Sequence, residues 1–200
     1  MKNLALSLVL VLITSILYSQ NTYMVSVHTG LGNPLKTNLR ATENLSDNPT
    51  AQFNGLNTSG IMVTSKVNEK FSIGLDLMYG SASVNFDKND TLFVNGQWTY
   101  PSTNYDITKR RLRVQFRFNK HFGNDVNFDQ YVGFGVGGNK RWRKEYVNDT
   151  LTTLDTSDPA FPISMRICYG FQYYPIYNLG IGGEVGLGGP FLQLMATYKF

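Results

Sequence analysis

Arg111-Leu112-Arg113-Val114-Gln115-Phe116-Arg117-Phe118 alternates without a break between a polar side chain and a large apolar one. Successive side chains of a strand point to opposite faces, so Leu112, Val114, Phe116 and Phe118 share one side while Arg111, Arg113, Gln115 and Arg117 share the other. Neither a buried helix nor a strand of a soluble sandwich accommodates that combination readily. A wall with lipid on one side and a polar lumen on the other does.

The same period of two recurs on both sides of this segment. Upstream, Tyr23, Val25, Val27 and Leu31 oppose Ser26, His28 and Gly30, and Ile61, Val63 and Val67 oppose Thr64 and Lys66. Phe71, Ile73, Leu75, Leu77 and Tyr79 then oppose Ser72, Gly74, Asp76 and Gly80. Downstream, Val132, Phe134, Val136 and Trp142 alternate with Gly133, Gly135, Gly137, Asn139, Arg141 and Arg143. Next come the apolar set Phe161 to Tyr173 against Ser164, Arg166, Cys168, Gly170 and Gln172, and Leu179, Ile181, Val185 and Leu187 against Gly180, Gly182, Glu184 and Gly186. Leu192, Leu194, Ala196, Tyr198 and Phe200 finish the series against Gln193, Thr197 and Lys199. Eight strands result, and an even count closes an antiparallel up-and-down transmembrane β-barrel with no free edge.

The connections support that reading. Residues 32–56, 84–104 and 144–160 make long links, residues 68–70 and 174–178 short ones, and residues 119–127 a medium one, before a Gly-Gly-Pro turn. Such alternation puts three long loops outside and both chain ends in the periplasm. Aromatic residues fall at strand ends, as interfacial girdles require: Phe71, Phe118, Phe171, Tyr173, Tyr198 and Phe200 on the periplasmic side, Tyr79, Trp142 and Phe161 on the other.

Charged residues make up 16% of the chain, below the ~25% usual for soluble domains. The net charge of +4 is not gathered into a basic run, which argues against nucleic acid as a partner. Cys168 is the single cysteine, so no internal disulfide framework holds the fold. Met1-Lys2-Asn3, the apolar Leu4 to Leu17 and the polar Tyr18-Ser19-Gln20 have the three parts of a secretory signal, with a cut expected after Ser19. Residues 1–19 are therefore expected to be removed, leaving 20–200 as one outer-membrane β-barrel domain.

The ending from Phe191 to Phe200 resembles the closing strand of small outer-membrane β-barrels, and Gly180 to Gly188 resembles their penultimate strand. With the signal, the chain resembles the broad family of PorT-like and OmpX-like barrels. That resemblance implies outer-membrane location and insertion by the barrel-insertion machinery, which reads a terminal segment here containing Tyr198 and Phe200. For PorT-like members it also implies a role accessory to a secretion machine. Asn89-Asp90-Thr91-Leu92 and Asn148-Asp149-Thr150-Leu151 share a tetrapeptide, whose Asp-Thr-Leu part resembles a bacterial O-glycosylation acceptor.

The polar faces predict a lumen rich in cations, with Arg111, Arg113, Arg141, Arg143 and Arg166 against Asp76 and Glu184. An eight-stranded barrel is just wide enough for side chains to fill, so these groups are expected to form a charge network rather than line a channel. Arg111, Arg113, Arg141 and Arg143 at the outer mouth also suggest an anion site, because guanidinium forks match phosphate or carboxylate. Phe93, Trp98 and Tyr100 flank an Asn95-Gly96 hairpin signal and are candidates for contact with a partner. His28 and His121 show no serine and carboxylate in a recognisable triad order, and one cysteine with two distant histidines makes no zinc set. No cofactor, metal or catalytic residue is expected. The sequence points to a non-enzymatic barrel that touches outer-membrane lipid and lipopolysaccharide and engages a protein partner through outer loops or periplasmic turns. A barrel transporting a small solute or hydrophobic molecule is the alternative, and a soluble ligand-binding barrel the third.

Overall fold

The computed structural model describes residues 22–45, 48–89, 92–94, 97–99, 101–122, 125, 127–155 and 162–200. The expected signal, residues 1–19, lies outside them, as do Tyr100 and Phe161 and the Asn95-Gly96 turn.

Among the described residues, twelve strands and one helix follow in chain order: β1 Tyr23–Leu31, α1 Pro34–Thr42, β2 Gln52–Asn54, β3 Ser59–Asn68, β4 Phe71–Asn89, β5 Leu92–Val94 and β6 Gln97–Thr99. The chain continues through β7 Ser102–His121, β8 Phe128–Val147, β9 Thr150–Asp155, β10 Ile163–Ile176, β11 Leu179–Leu187 and β12 Leu192–Lys199. Eight of them, β1, β3, β4, β7, β8, β10, β11 and β12, pair antiparallel with their neighbours. The pairing Met24↔Lys199 through Leu31↔Leu192 joins β1 to β12 and closes the cylinder. The protein is an eight-stranded antiparallel transmembrane β-barrel.

Side chains divide between the two faces as the alternation requires. Phe116, Phe118, Ile163, Met165, Ile167, Phe171, Ile181 and Leu194 are exposed on the outer surface, while Gln115, Arg117, Arg166, Glu184 and Gln193 are buried inside. Water would oppose such an exterior; hydrocarbon solvates it. At the end carrying the short turns, Phe71, Phe118, Phe171, Tyr173, Tyr198 and Phe200 are exposed as a ring, with Tyr198 and Phe200 packed edge to face at 4.9 Å. Tyr79 is exposed at the other end, and Trp142 stands half-buried beside the Lys140 ammonium.

The long connections differ from the expected loops. Residues 84–89 and 102–104 are strand, because β4 and β7 pair without a register shift from Phe71↔Lys120 to Asn89↔Ser102, and 144–147 and 150–155 are strand in the β8–β9 hairpin. Ten residues of β4 beyond Tyr79 carry the wall roughly 33 Å further along the strand. The physical cause is a change of solvent. Up to Tyr79 the apolar side chains of β4, apart from the buried Met78, are odd-numbered and face lipid, whereas beyond Gly80 the apolar ones are Ala82, Val84 and Phe86, which face inward and are buried. β7 switches in the same way, from Leu112 to Phe118 outside to Tyr105 and Ile107 inside.

Above the membrane, β2, β4, β7, β8 and β9 thus form an open sheet. The first long connection folds back onto its concave face, where Leu39 and Leu45 bury against Ala82, Val84, Phe86 and Ile107. Helix α1 starts here because Asn33 caps it, accepting from the Leu35 and Lys36 amides at 3.0 and 3.3 Å, with Pro34 next in line. The Asn33 amide also donates to Leu56 O and Ser81 O, tying the helix start to the wall. Between β8 and β9, Asn148 and Asp149 both have positive φ (47° and 61°), the geometry of a two-residue hairpin turn. Turn chemistry accounts for that copy of the repeated Asn-Asp. β5 and β6 pair as the hairpin signal requires, and Trp98 is exposed on β6.

Candidate functional site

The lumen residues fall into three levels. At mid-height Glu184 of β11 accepts from Arg117 Nη2 at 2.5 Å, from Arg166 Nη2 at 3.0 Å and from the Tyr131 hydroxyl at 2.8 Å. Arg117 reaches on to Asp76 Oδ2 at 3.5 Å, and Asp76 Oδ1 meets His28 Nε2 at 2.8 Å. This chain of charges ties together β1, β4, β7, β8, β10 and β11, and every one of its side chains is buried. Buried charges persist only when paired, so the set crosses the barrel as a plug. The small residues on β8 give it room. A side chain at Gly133 would meet Arg117 Nη2 at 2.9 Å and Cys168 Sγ at 2.8 Å.

At the end carrying the short turns, His121 Nδ1 lies 2.9 Å from Asp129 Oδ1, and His121 Nε2 lies 2.9 Å from Ser72 Oγ. The expectation that His121 has no serine and carboxylate in triad order beside it is therefore corrected. β7 runs three residues into the expected 119–127 connection, and β8 begins at Phe128, so His121 and Asp129 both face the lumen. The geometry is that of a triad, but Ser72 is 1% exposed and its Oγ also accepts from Asn119 at 3.2 Å. Lys66 Nζ lies 3.3 Å from the other Asp129 oxygen. A hydroxyl held this way presents no face to a substrate, and the cluster closes the lower lumen.

The mouth is different. β7 and β8 pair Lys109↔Arg143, Arg111↔Arg141 and Arg113↔Asn139, which puts five cations on one inward facet with like charges directly opposed. They line a cavity of about 370 Å³ under α1, with Pro34, Leu35 and Asn38 on the facing side and Gly189 below. Acidic partners serve only one edge of it. Arg143 bonds Glu43 and Glu145, each at 3.0 Å, and Lys109 stands 4.0 Å from Glu43 while donating to Thr42 at 3.0 Å. Arg111 has the Asn139 side-chain carbonyl at 2.7 Å, and Arg113 has the Gly188 carbonyl at 2.8 Å. Burial, and then the neighbouring Arg113 and Arg141, push the Arg111 guanidinium well below its ordinary value. Lys109 is lowered by burial and then by Arg143. Arg143 is raised: burial opposes its charge, but the hydrogen bond it donates to Glu145 and the charge of Glu43 outweigh it.

Of the residues singled out in the sequence, Arg166, Asp76 and Glu184 thus meet in the plug, and Arg111, Arg113, Arg141 and Arg143 meet at the mouth. Sequence reasoning missed Tyr131 and Asp129 below, and Lys109, Glu43 and Glu145 above. The odd-numbered phase from Arg111 back to Lys109 and from Arg143 on to Glu145 carried that signal for the mouth. Among the described residues no group of three His, Cys, Asp or Glu side chains is arranged to hold a metal ion.

No family model and no curated protein matches this sequence. Among solved structures, the chain is similar to Ail, the attachment invasion locus protein of Yersinia pestis. That structure matches with a TM-score of 0.41 and 9% identity, covering 91% of this chain and 100% of the other. A second structure of Ail, in complex with the heparin analogue sucrose octasulfate, gives a TM-score of 0.40 with the same identity and coverage.

Proposed function

We propose that this protein is a non-enzymatic outer-membrane barrel whose work is done by its extracellular head, the lumen serving as a structural plug. The carrying observation is the continuation of β4 and β7 beyond the point where their apolar side chains turn from lipid to the interior, with β8 running on beside β7 in unbroken register. A wall extended so far, with its own small core of α1 and Leu45, is a platform for contact; anchoring alone needs strands of only about 9–11 residues. The exposed polar outer face of β4, with Asn85 and Asp87, suits a protein partner. The finer reading, an accessory of a secretion machine delivered by a cleaved signal and the barrel-insertion machinery, is the form of this role that the PorT-like ending favours.

The test has two arms. In planar bilayers the folded protein is expected to give no stable open channel, and a steady conductance step returns the transport reading. In cells, a photo-crosslinker at Asp87 on the head is expected to trap a discrete protein adduct that the same crosslinker at Leu75, facing lipid, does not trap. Secretion-machine components in that adduct support the accessory role. Identical yields from both positions refute a dedicated head.

A further inference from the structure

The five mouth cations are not matched by the acids around them. Glu43 and Glu145 both engage Arg143, and Glu43 alone reaches toward Lys109. Arg111, Arg113 and Arg141 have no carboxylate partner among the described residues, although Arg111 and Arg141 face each other across the β7–β8 ladder. Arg111 is half-buried and Arg141 exposed, and like charges placed directly opposite each other raise the energy of the fold unless something neutralises them. Arg113 is 93% buried, given its 7% exposure, and its Nε has no hydrogen-bond partner. A buried donor left unpaired costs free energy that an acceptor in the cavity would recover.

We propose that the 370 Å³ cavity lined in part by Arg111, Arg113, Arg141, Lys109 and Asn38 binds a small multivalent oxyanion of the phosphate type, supplied from the extracellular medium. The volume lies in the ~300–1,000 Å³ range of small-molecule sites. Guanidinium forks bind phosphate oxygens in pairs, which suits three arginines converging from two strands. The source is a soluble anion rather than a lipid headgroup, because Lys109, Arg111, Arg113, Arg141 and Arg143 share the inward face of the β7–β8 ladder, and only Arg110 and Trp142 of the lining belong to the outward face. Lys140, one position along from Arg141, points to the opposite face and lies over the outward Trp142 ring. Bound there, the anion would join α1 to the barrel wall, since Asn38 and Lys109 already meet at 3.4 Å.

Calorimetric titration of the folded protein in maltoside micelles with pyrophosphate tests this. One saturable site is expected, weakened by about tenfold or more in the Arg111→Gln, Arg141→Gln double variant and unchanged in Lys140→Gln. If the double variant does not fold, Arg141→Gln alone, at an exposed side chain, is expected to weaken binding in the same direction. Absence of saturable heat, or equal affinity in the arginine variants, overturns the proposal. So does tighter binding to phosphatidylglycerol micelles that Lys140→Gln abolishes, which would assign the anion to lipid. Binding is read on purified protein, so its failure leaves the head-contact reading untouched.

Discussion

Replacing Glu184 with glutamine keeps the size of the side chain and removes its charge. Two buried guanidiniums then lose a carboxylate. Arg117 retains Asp76 at 3.5 Å, whereas Arg166 retains only the Pro190 carbonyl at 3.1 Å. Breaking a buried ion pair by removing one partner costs about 3–5 kcal/mol, since the other charge stays out of water. The glutamine carbonyl can still accept one hydrogen bond, worth about 1.5–3 kcal/mol with a charged donor, so the expected loss is about 2 kcal/mol. Urea unfolding in micelles, followed by fluorescence of Trp98 and Trp142, reads it as a shift in midpoint. Adding Arg166→Met to Glu184→Gln removes the stranded cation and is expected to restore part of the loss. A loss below about 1 kcal/mol, the scale of an exposed pair, refutes the plug as a determinant of stability. A double variant no more stable than the single one refutes the pairing as its cause.

Two further outcomes follow from close approaches and caps. A methyl at Gly170 would fall onto the Tyr131 ring, 2.6 Å from its hydroxyl, and Glu184 holds that ring in place. Gly170→Ala is expected to cost about 1–3 kcal/mol in the same unfolding assay, and Gly138→Ala, which meets nothing within 4 Å, to leave the midpoint near the parent value. Asn33→Ala removes the α1 cap and both ties to the wall, a local loss of about 1–2 kcal/mol. It should speed proteolysis within residues 32–56 without moving the unfolding midpoint of the barrel; unchanged cleavage would mean that α1 is not held by its cap.

Most of the barrel was legible because a membrane wall reads its two faces in strict alternation. Arg117 against Phe116 and Phe118, or Glu184 against Val185, needs no partner strand to be sorted. The head was not legible in the same way. Ala82, Val84 and Phe86 are apolar in the opposite phase to Leu75, Leu77 and Tyr79, and a change of phase read locally looks like the end of a strand. It is the same strand leaving lipid. α1 carries only Leu35 and Leu39 as packing residues, too few for a helical period, and its clearest sign was Asn33-Pro34.

The sequence by itself determined which side chains face outward and which face the lumen, since alternation is a property of the strand backbone alone. It also collected the cations on one face. Only the tertiary structure decided how those cations are shared. Register across eight closed strands sets Arg166 and Arg117 within reach of Glu184, and leaves Arg111 and Arg141 opposed at the mouth without an acid among the described residues. Pairing between residues as distant as Arg117 and Glu184 depends on barrel closure, which no local pattern contains.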